Sequence, residues 1–143
     1  MTLLCQTEQL INKMVVPRID MVRWITDEAQ YSNFSLSTPF VTKFDEDYLS
    51  TDLHISEWGK LLRLREKGVS SQCCVNDTVI MRAKHPGRRT GDVNEACDRC
   101  IRKKRLCARL VKVAGVIKLA FLPLPRQYRG NAMVESLDHW VRK

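Results

Sequence analysis

No stretch of this 143-residue sequence is apolar for the roughly 18 residues that a bilayer-spanning helix needs, so no membrane partner is expected. The opening, MTLLCQTEQLINK, has no basic start and no long apolar run before a small-residue cleavage site, so a secretory signal is not expected either. Glycine (6) and proline (5) are scarce while hydrophobic residues reach 44 %, which excludes a disordered chain. No internal repeat, glycine-rich phosphate loop, Ser/His/Asp arrangement or paired carboxylates stand out. His54 and His139 are isolated, and Asp45, Glu46 and Asp47 read as a solvated acidic turn. Catalysis is therefore not expected. What remains is a soluble, intracellular, basic chain, long enough to bury an ordinary core without disulfides.

The formal net charge is +8, from 24 basic and 16 acidic side chains. It is not spread evenly. Between Arg82 and Lys112 lie 11 basic residues against three acids (Asp92, Glu95, Asp98), and the rest of the sequence is balanced. A solvated face needs no such concentration. An excess gathered into one short stretch is the footprint of a polyanion-binding surface, and Arg88, Arg89, Arg99, Arg102, Lys103, Lys104 and Arg105 are its candidate contacts.

The patterning suggests an α+β chain: a helical N-terminal half over residues 1–68 and a small, basic, cysteine-bearing half over 69–143, stapled by zinc and containing a hairpin. Leu3, Leu4, Leu10, Ile11 and Met14 share a helical stripe over 2–16, with Thr2 as its cap, and Pro17 ends it. Ile19, Val22, Trp24 and Ile25 suggest a second helix up to Ala29. Residues 31–51, rich in Ser, Thr and Asp, read as a connector with apolar anchors at Phe34, Phe40, Phe44 and Tyr48. A helix over 56–67 follows, capped by Ser56, carrying Trp58, Leu61 and Leu62 on one face and closed by Gly68. Val75 to Met81 suggests a short strand. Two β-branched runs flank Ala114-Gly115 and predict a hairpin over 109–122, which Pro123 and Pro125 stop. A last helix from Ala132, with Asn131 as cap, would put Met133, Leu137, Trp140 and Val141 on one face.

The chemistry lies in the cysteines: Cys5, Cys73, Cys74, Cys97, Cys100 and Cys107. In an intracellular chain thiols stay reduced, so a metal site is preferred to a disulfide framework. The C-x-x-C turn Cys97-Asp98-Arg99-Cys100 aims two thiolates at one point, and Cys107 lies one short helix further on. Neighbouring arginines and lysines favour the thiolate form that binds metal. Cys5 reads as an ordinary small apolar residue.

The segment Cys97-Asp-Arg-Cys-Ile-Arg-Lys-Lys-Arg-Leu-Cys107 resembles the first half of the fungal binuclear zinc-cluster family. That resemblance implies a nuclear, DNA-binding protein whose basic residues between the second and third cysteines reach the major groove. Lys103 and Lys104 hold the family's base-reading places, flanked by Arg102 and Arg105. The family shares two zinc ions among six cysteines, but no cysteine follows Cys107 here. A single zinc ion is therefore expected, closed from upstream by Cys74 or Cys73, with His85 as the next candidate. Such a zinc-stabilised module would bind nucleic acid, DNA rather than RNA. The alternative is a zinc-stapled interaction module whose basic strip meets an acidic protein partner.

Overall fold

Residues 107–122 alternate between two environments, and that alternation organises the molecule. In a computed structural model the chain is described over residues 10–11, 14–33, 38–69, 74–81 and 92–143. Its architecture is mixed α+β. A short antiparallel ribbon joins β1 (Leu10–Ile11) and β2 (Met14–Val15). The main sheet has four strands: β3 (Met21–Ile25), β4 (Gln30–Asn33), β5 (Cys107–Val113) and β6 (Val116–Leu122), in the order β4-β3-β6-β5. Strands β3 and β6 run parallel, with Val22 beside Ala120, and the other two pairs are antiparallel. The sheet thus draws strands from both sides of Gly68.

The expected hairpin is present. Val113 pairs with Val116 across Ala114 (φ 53°) and Gly115 (φ 83°), both in the left-handed region that a tight two-residue hairpin turn requires. Two helices cover one face of the sheet: α1 (Thr38–Tyr48) and α2 (Asp52–Arg63), followed by the single turn α3 (Arg65–Gly68). Phe40, Phe44 and Tyr48 recur every fourth residue on α1, so all three rings enter the core with Trp58 of α2. Beneath them lie Ala108, Leu110, Ile117, Leu119 and Phe121 of the hairpin, with Trp140 closing one side. Among the described residues no helix is long and apolar enough to cross a membrane.

Several expectations are overturned. The segment 19–29 is not helical. Its β-branched and aromatic residues alternate between faces, and a turn at Thr26–Ala29 makes it half of a hairpin locked by the Trp24–Tyr31 ring pair, 4.8 Å between centroids. Of the helix expected over 2–16, residues 10–11 and 14–15 form strands, and residues 1–9 and 12–13 lie outside the described residues. Most of the expected connector is α1. Pro39 sits in its first turn, where a missing N–H is tolerated, and three of the four supposed anchors are its buried stripe. The fourth, Phe34, lies outside the described residues. Helix α2 begins four residues before the expected cap Ser56, because Thr51 Oγ1 accepts from the His54 N–H at 3.1 Å.

The expected strand over 75–81 is instead a π-helical turn, Asn76–Ile80, closed by Met81 N–H to Asn76 C=O at 2.9 Å. It buries Val75 and Val79 together. The short helix α4 (Asp98–Lys103) precedes the hairpin and α5 (Arg126–Arg129) follows it; the helix expected from Ala132 does not form, and that segment holds only a 3₁₀ turn at Leu137–His139. Ser136 caps that turn through the Asp138 N–H, and the Trp140 indole N–H donates to the Val134 carbonyl at 2.7 Å, which folds the segment back on itself.

His139 lies at this junction, 8 % exposed, edge-on to Trp140 at 4.7 Å. Burial, then the nearby Arg129 and Arg23 charges against an opposing effect of Asp27, lowers its pKa to about 4. The folded state therefore holds a neutral imidazole, and the unfolded chain binds the extra proton between pH 6.5 and 4. Stability is expected to be full above pH 6.5 and to fall by roughly 2–3 kcal/mol toward pH 4. His139→Leu should flatten that fall, measured by urea unfolding of both proteins at pH 7 and pH 5.

Candidate metal centre

The opposite face of the sheet carries the chemistry. Cys107 opens β5, shortly after the chain leaves the short helix α4 (Asp98–Lys103). Cys97 is the N-cap residue of α4 and Cys100 lies within it, so the C-x-x-C turn and the first helical turn coincide. Lys104 closes α4 in the left-handed conformation (φ 58°). Its N–H reaches the Ile101 carbonyl, and the Arg105 N–H reaches that of Cys100 at 3.0 Å. This pair of bonds is a Schellman motif, which reverses the chain and returns Cys107 to the other two cysteines. Cys74 comes from the segment that leads into the π-helical turn, two residues before Asn76.

The four sulfurs lie within 4.8 Å of one another, and all four residues are buried. Cys74 Sγ is 3.8 Å from Cys97 Sγ and 3.6 Å from Cys100 Sγ. Those separations are too long for a disulfide bond. They match the spacing of about 3.8 Å that four sulfurs adopt at 2.3 Å around a tetrahedral ion. The set is thus a four-cysteine cluster able to coordinate a metal ion. Cys73, His85 and Cys5 lie outside the described residues, and neither His54 nor His139 joins the cluster.

Four thiols in one buried space share protons unequally. Hydrogen bonding with Cys100 and with Cys74 holds Cys107 down, and Cys97 is lowered chiefly by Cys100 and Cys107. Cys100 is pushed up, first by Cys107 and Cys74. For Cys74 the lowering influence of Cys100 is outweighed by Cys107, Cys97 and burial. A bound divalent cation would remove the conflict, with Cys74, Cys97, Cys100 and Cys107 holding it as thiolates. The Cys97 N–H already donates to Cys107 Sγ at 3.4 Å, the kind of bond that stabilises a ligating thiolate.

Distant elements hold the cluster in shape. Helix α1 grips Leu106 from both sides: the Asp47 carboxylate accepts its N–H at 2.9 Å, and the Tyr48 hydroxyl donates to its carbonyl at 2.5 Å. The same hydroxyl lies 3.8 Å from Cys100 Sγ. Burial and the neighbouring cysteines push the Tyr48 pKa well up, so it remains a donor. From the π-helical turn, buried Asp77 pairs with Arg99 at 2.5 Å, and the Asn76 side-chain carbonyl accepts from Arg105. These two bonds tie the Cys74 segment to both ends of α4. Around the sulfurs, Ala96, Ile101, Leu122, Leu124 and Trp24 exclude water.

The basic candidates are therefore sorted. Arg102, Lys103 and Lys104 stand exposed at the end of α4, whereas Arg99 and Arg105 have partners on the π-helical turn. Arg88 and Arg89 lie outside the described residues. Asp47, Tyr48, Asn76 and Asp77 were not legible as site residues. Each is remote in sequence from the C-x-x-C turn, and a polar residue before a hydrophobic run carries no mark of the backbone atom it will bind.

The class of protein is now defined: an α+β domain with one buried four-cysteine cluster, among the described residues, capable of holding a metal ion. A protein-family model described as "Domain of unknown function (DUF8414)" matches residues 14–140, and the chain belongs to that family. No curated protein and no solved structure matches the chain.

Proposed function

We propose that the chain is a zinc protein of the nucleus that binds nucleic acid, DNA in preference to RNA, through the exposed end of α4. Zinc suits the donor set: four soft thiolates at tetrahedral spacing, sealed from water, form a structural site with no open position for a substrate. Catalysis is not part of this reading. The zinc ion holds α4 and its reversal, and the basic side chains on that reversal meet the phosphates.

The observation that carries the nucleic-acid reading is Lys104. It occupies the left-handed position that ends a Schellman motif, where glycine is favoured and any other side chain costs about 1 kcal/mol. The position nonetheless projects an exposed cation, next to exposed Arg102 and Lys103, and none of the three forms an ion pair among the described residues. Glycine would make the same turn without that cost, so folding gives no reason for a lysine here, and contact with a polyanion supplies one. The resemblance to the fungal zinc-cluster segment puts Lys103 and Lys104 nearest the bases in this reading.

The test combines Lys103→Ala with Lys104→Gly. The variant is expected to melt no lower than the wild type, since glycine relieves the turn. Its affinity for duplex DNA should fall, and the slope of log affinity against log salt should flatten by roughly 1–2. Fluorescence anisotropy at several salt concentrations, on duplex and single-stranded DNA and on RNA, reads both effects. An unchanged slope rejects these lysines as contacts, and tight binding to an acidic protein in its place identifies an interaction module.

A further inference from the structure

Arg109 is a buried cation whose purpose the fold alone does not explain. It lies on β5 two residues beyond Cys107, and strand alternation puts both on one face. Ala108 and Leu110 enter the helix-side core, Cys107 belongs to the sulfur cluster, and Val111 packs with Val22 and Ala120. Arg109 is only 8 % exposed. Its Nη1 is shut off from solvent with no hydrogen-bond partner, and no carboxylate pairs with it among the described residues. Its register partner on β6 is Ala120, whose methyl group leaves the space above the neighbouring strand open to a long side chain.

A guanidinium in such surroundings is destabilising unless negative charge lies close by. The sulfur cluster supplies that charge once loaded, because four thiolates around a divalent ion carry a net charge of about −2. The Cβ atoms of residues i and i+2 on a strand are about 7 Å apart, well within reach of an arginine side chain. Of the two other arginines near the cluster, Arg99 is neutralised by Asp77, and Arg105, half-exposed, is turned toward the Asn76 side-chain carbonyl.

We infer that Arg109 is the internal counter-cation of the metal-loaded cysteine cluster, a positioning residue that offsets the negative charge of the tetrathiolate and so raises its affinity for a divalent ion. This inference rests on the metal-binding reading above. It also accounts for a buried arginine on a strand that is otherwise apolar up to Val111.

The experiment uses the full chain and Co²⁺ as probe, since thiolate-to-cobalt absorption reports four-sulfur coordination directly. Arg109→Met is expected to bind Co²⁺ about 10–100-fold more weakly than the wild type, while Arg109→Lys stays within a few-fold. Thermal melts should change sign with metal. Metal-free Arg109→Met melts at or above the metal-free wild type, and the loaded variant melts below the loaded wild type. Equal Co²⁺ affinities for the two proteins overturn the inference. So does a destabilisation of the same size with and without metal, which marks a packing role. If the methionine variant does not fold, Arg109→Gln set against Arg109→Lys makes the same comparison of charge. A wild type that binds no Co²⁺ overturns the metal reading itself, a result distinct from any failure of Arg109.

Discussion

Cys100→Ser is expected to abolish divalent-metal binding and to lower the melting temperature of the whole chain by tens of degrees. Cys100 is fully buried and sits 3.6 Å from Cys74 Sγ, so its loss leaves three sulfurs and an oxygen that binds zinc poorly. In zinc-finger peptides a structural zinc contributes on the order of 10–16 kcal/mol, as much as the net stability of a whole domain of about 5–15 kcal/mol. Here the loss cannot stay local. Leu122 and Leu124 pack against the sulfurs from β6 and the segment after it, and the Tyr48 hydroxyl couples Leu106 to helix α1. A strong chelator should reproduce the effect in the wild type, and added zinc should reverse it there but not in the variant. Thermal melts followed by circular dichroism, with metal content measured on the same samples, check both statements. A variant that melts with the metal-loaded wild type refutes them.

Phe44→Ala is expected to cost about 3–5 kcal/mol, the range for removing a fully buried aromatic ring from a packed core. Phe44 lies between helix and sheet, with ring centroids 5.2 Å from Tyr48, 5.2 Å from Trp58 and 5.9 Å from Phe121. Those three neighbours belong to α1, α2 and β6, so a cavity there loosens both helices and the central strand beneath them at once. The substitution should also weaken metal binding, although Phe44 is not part of the sulfur cluster, because Tyr48 loses its packing on the same helix. Urea unfolding gives the stability change and Co²⁺ titration gives the coupling. Phe44→Leu, which fills most of the space, should recover the greater part of both. A loss of stability with unchanged Co²⁺ affinity would show that α1 and the cluster are independent.

Both effects follow from features with very different visibility in the sequence. The hairpin of β5 and β6 is legible because it is local: two β-branched runs face each other across Ala114-Gly115, and no distant contact is needed to choose that turn. Helix α2 is legible for the same reason, apart from its start. Strand β3 is not. Val22 and Ile25 stand three apart and fit a helix as well as a strand, and the choice is made by the β6 edge beside them, which lies almost a hundred residues further on. Helix α1 was hidden by its Ser, Thr, Asp and Pro content, although its buried residues were already visible as apolar anchors. Propensity there gives way to the burial of three aromatic rings.

Within the site, the spacing of Cys97, Cys100 and Cys107 marks three sulfurs of one cluster, because a C-x-x-C turn and a six-residue return are short-range geometry. The concentration of basic residues on the same stretch is equally a property of the chain alone. Which upstream residue joins them is not. Cys73 and Cys74 are neighbours, and only the course of the backbone into the π-helical turn brings Cys74 to the other sulfurs. The same packing divides the arginines, turning Arg99 and Arg105 inward onto Asp77 and Asn76 while leaving Arg102 exposed. Local spacing determines which atoms are close along the chain. Long-range burial determines which of the remaining groups must meet, since a polar side chain taken out of water has to find its partner wherever the fold provides one.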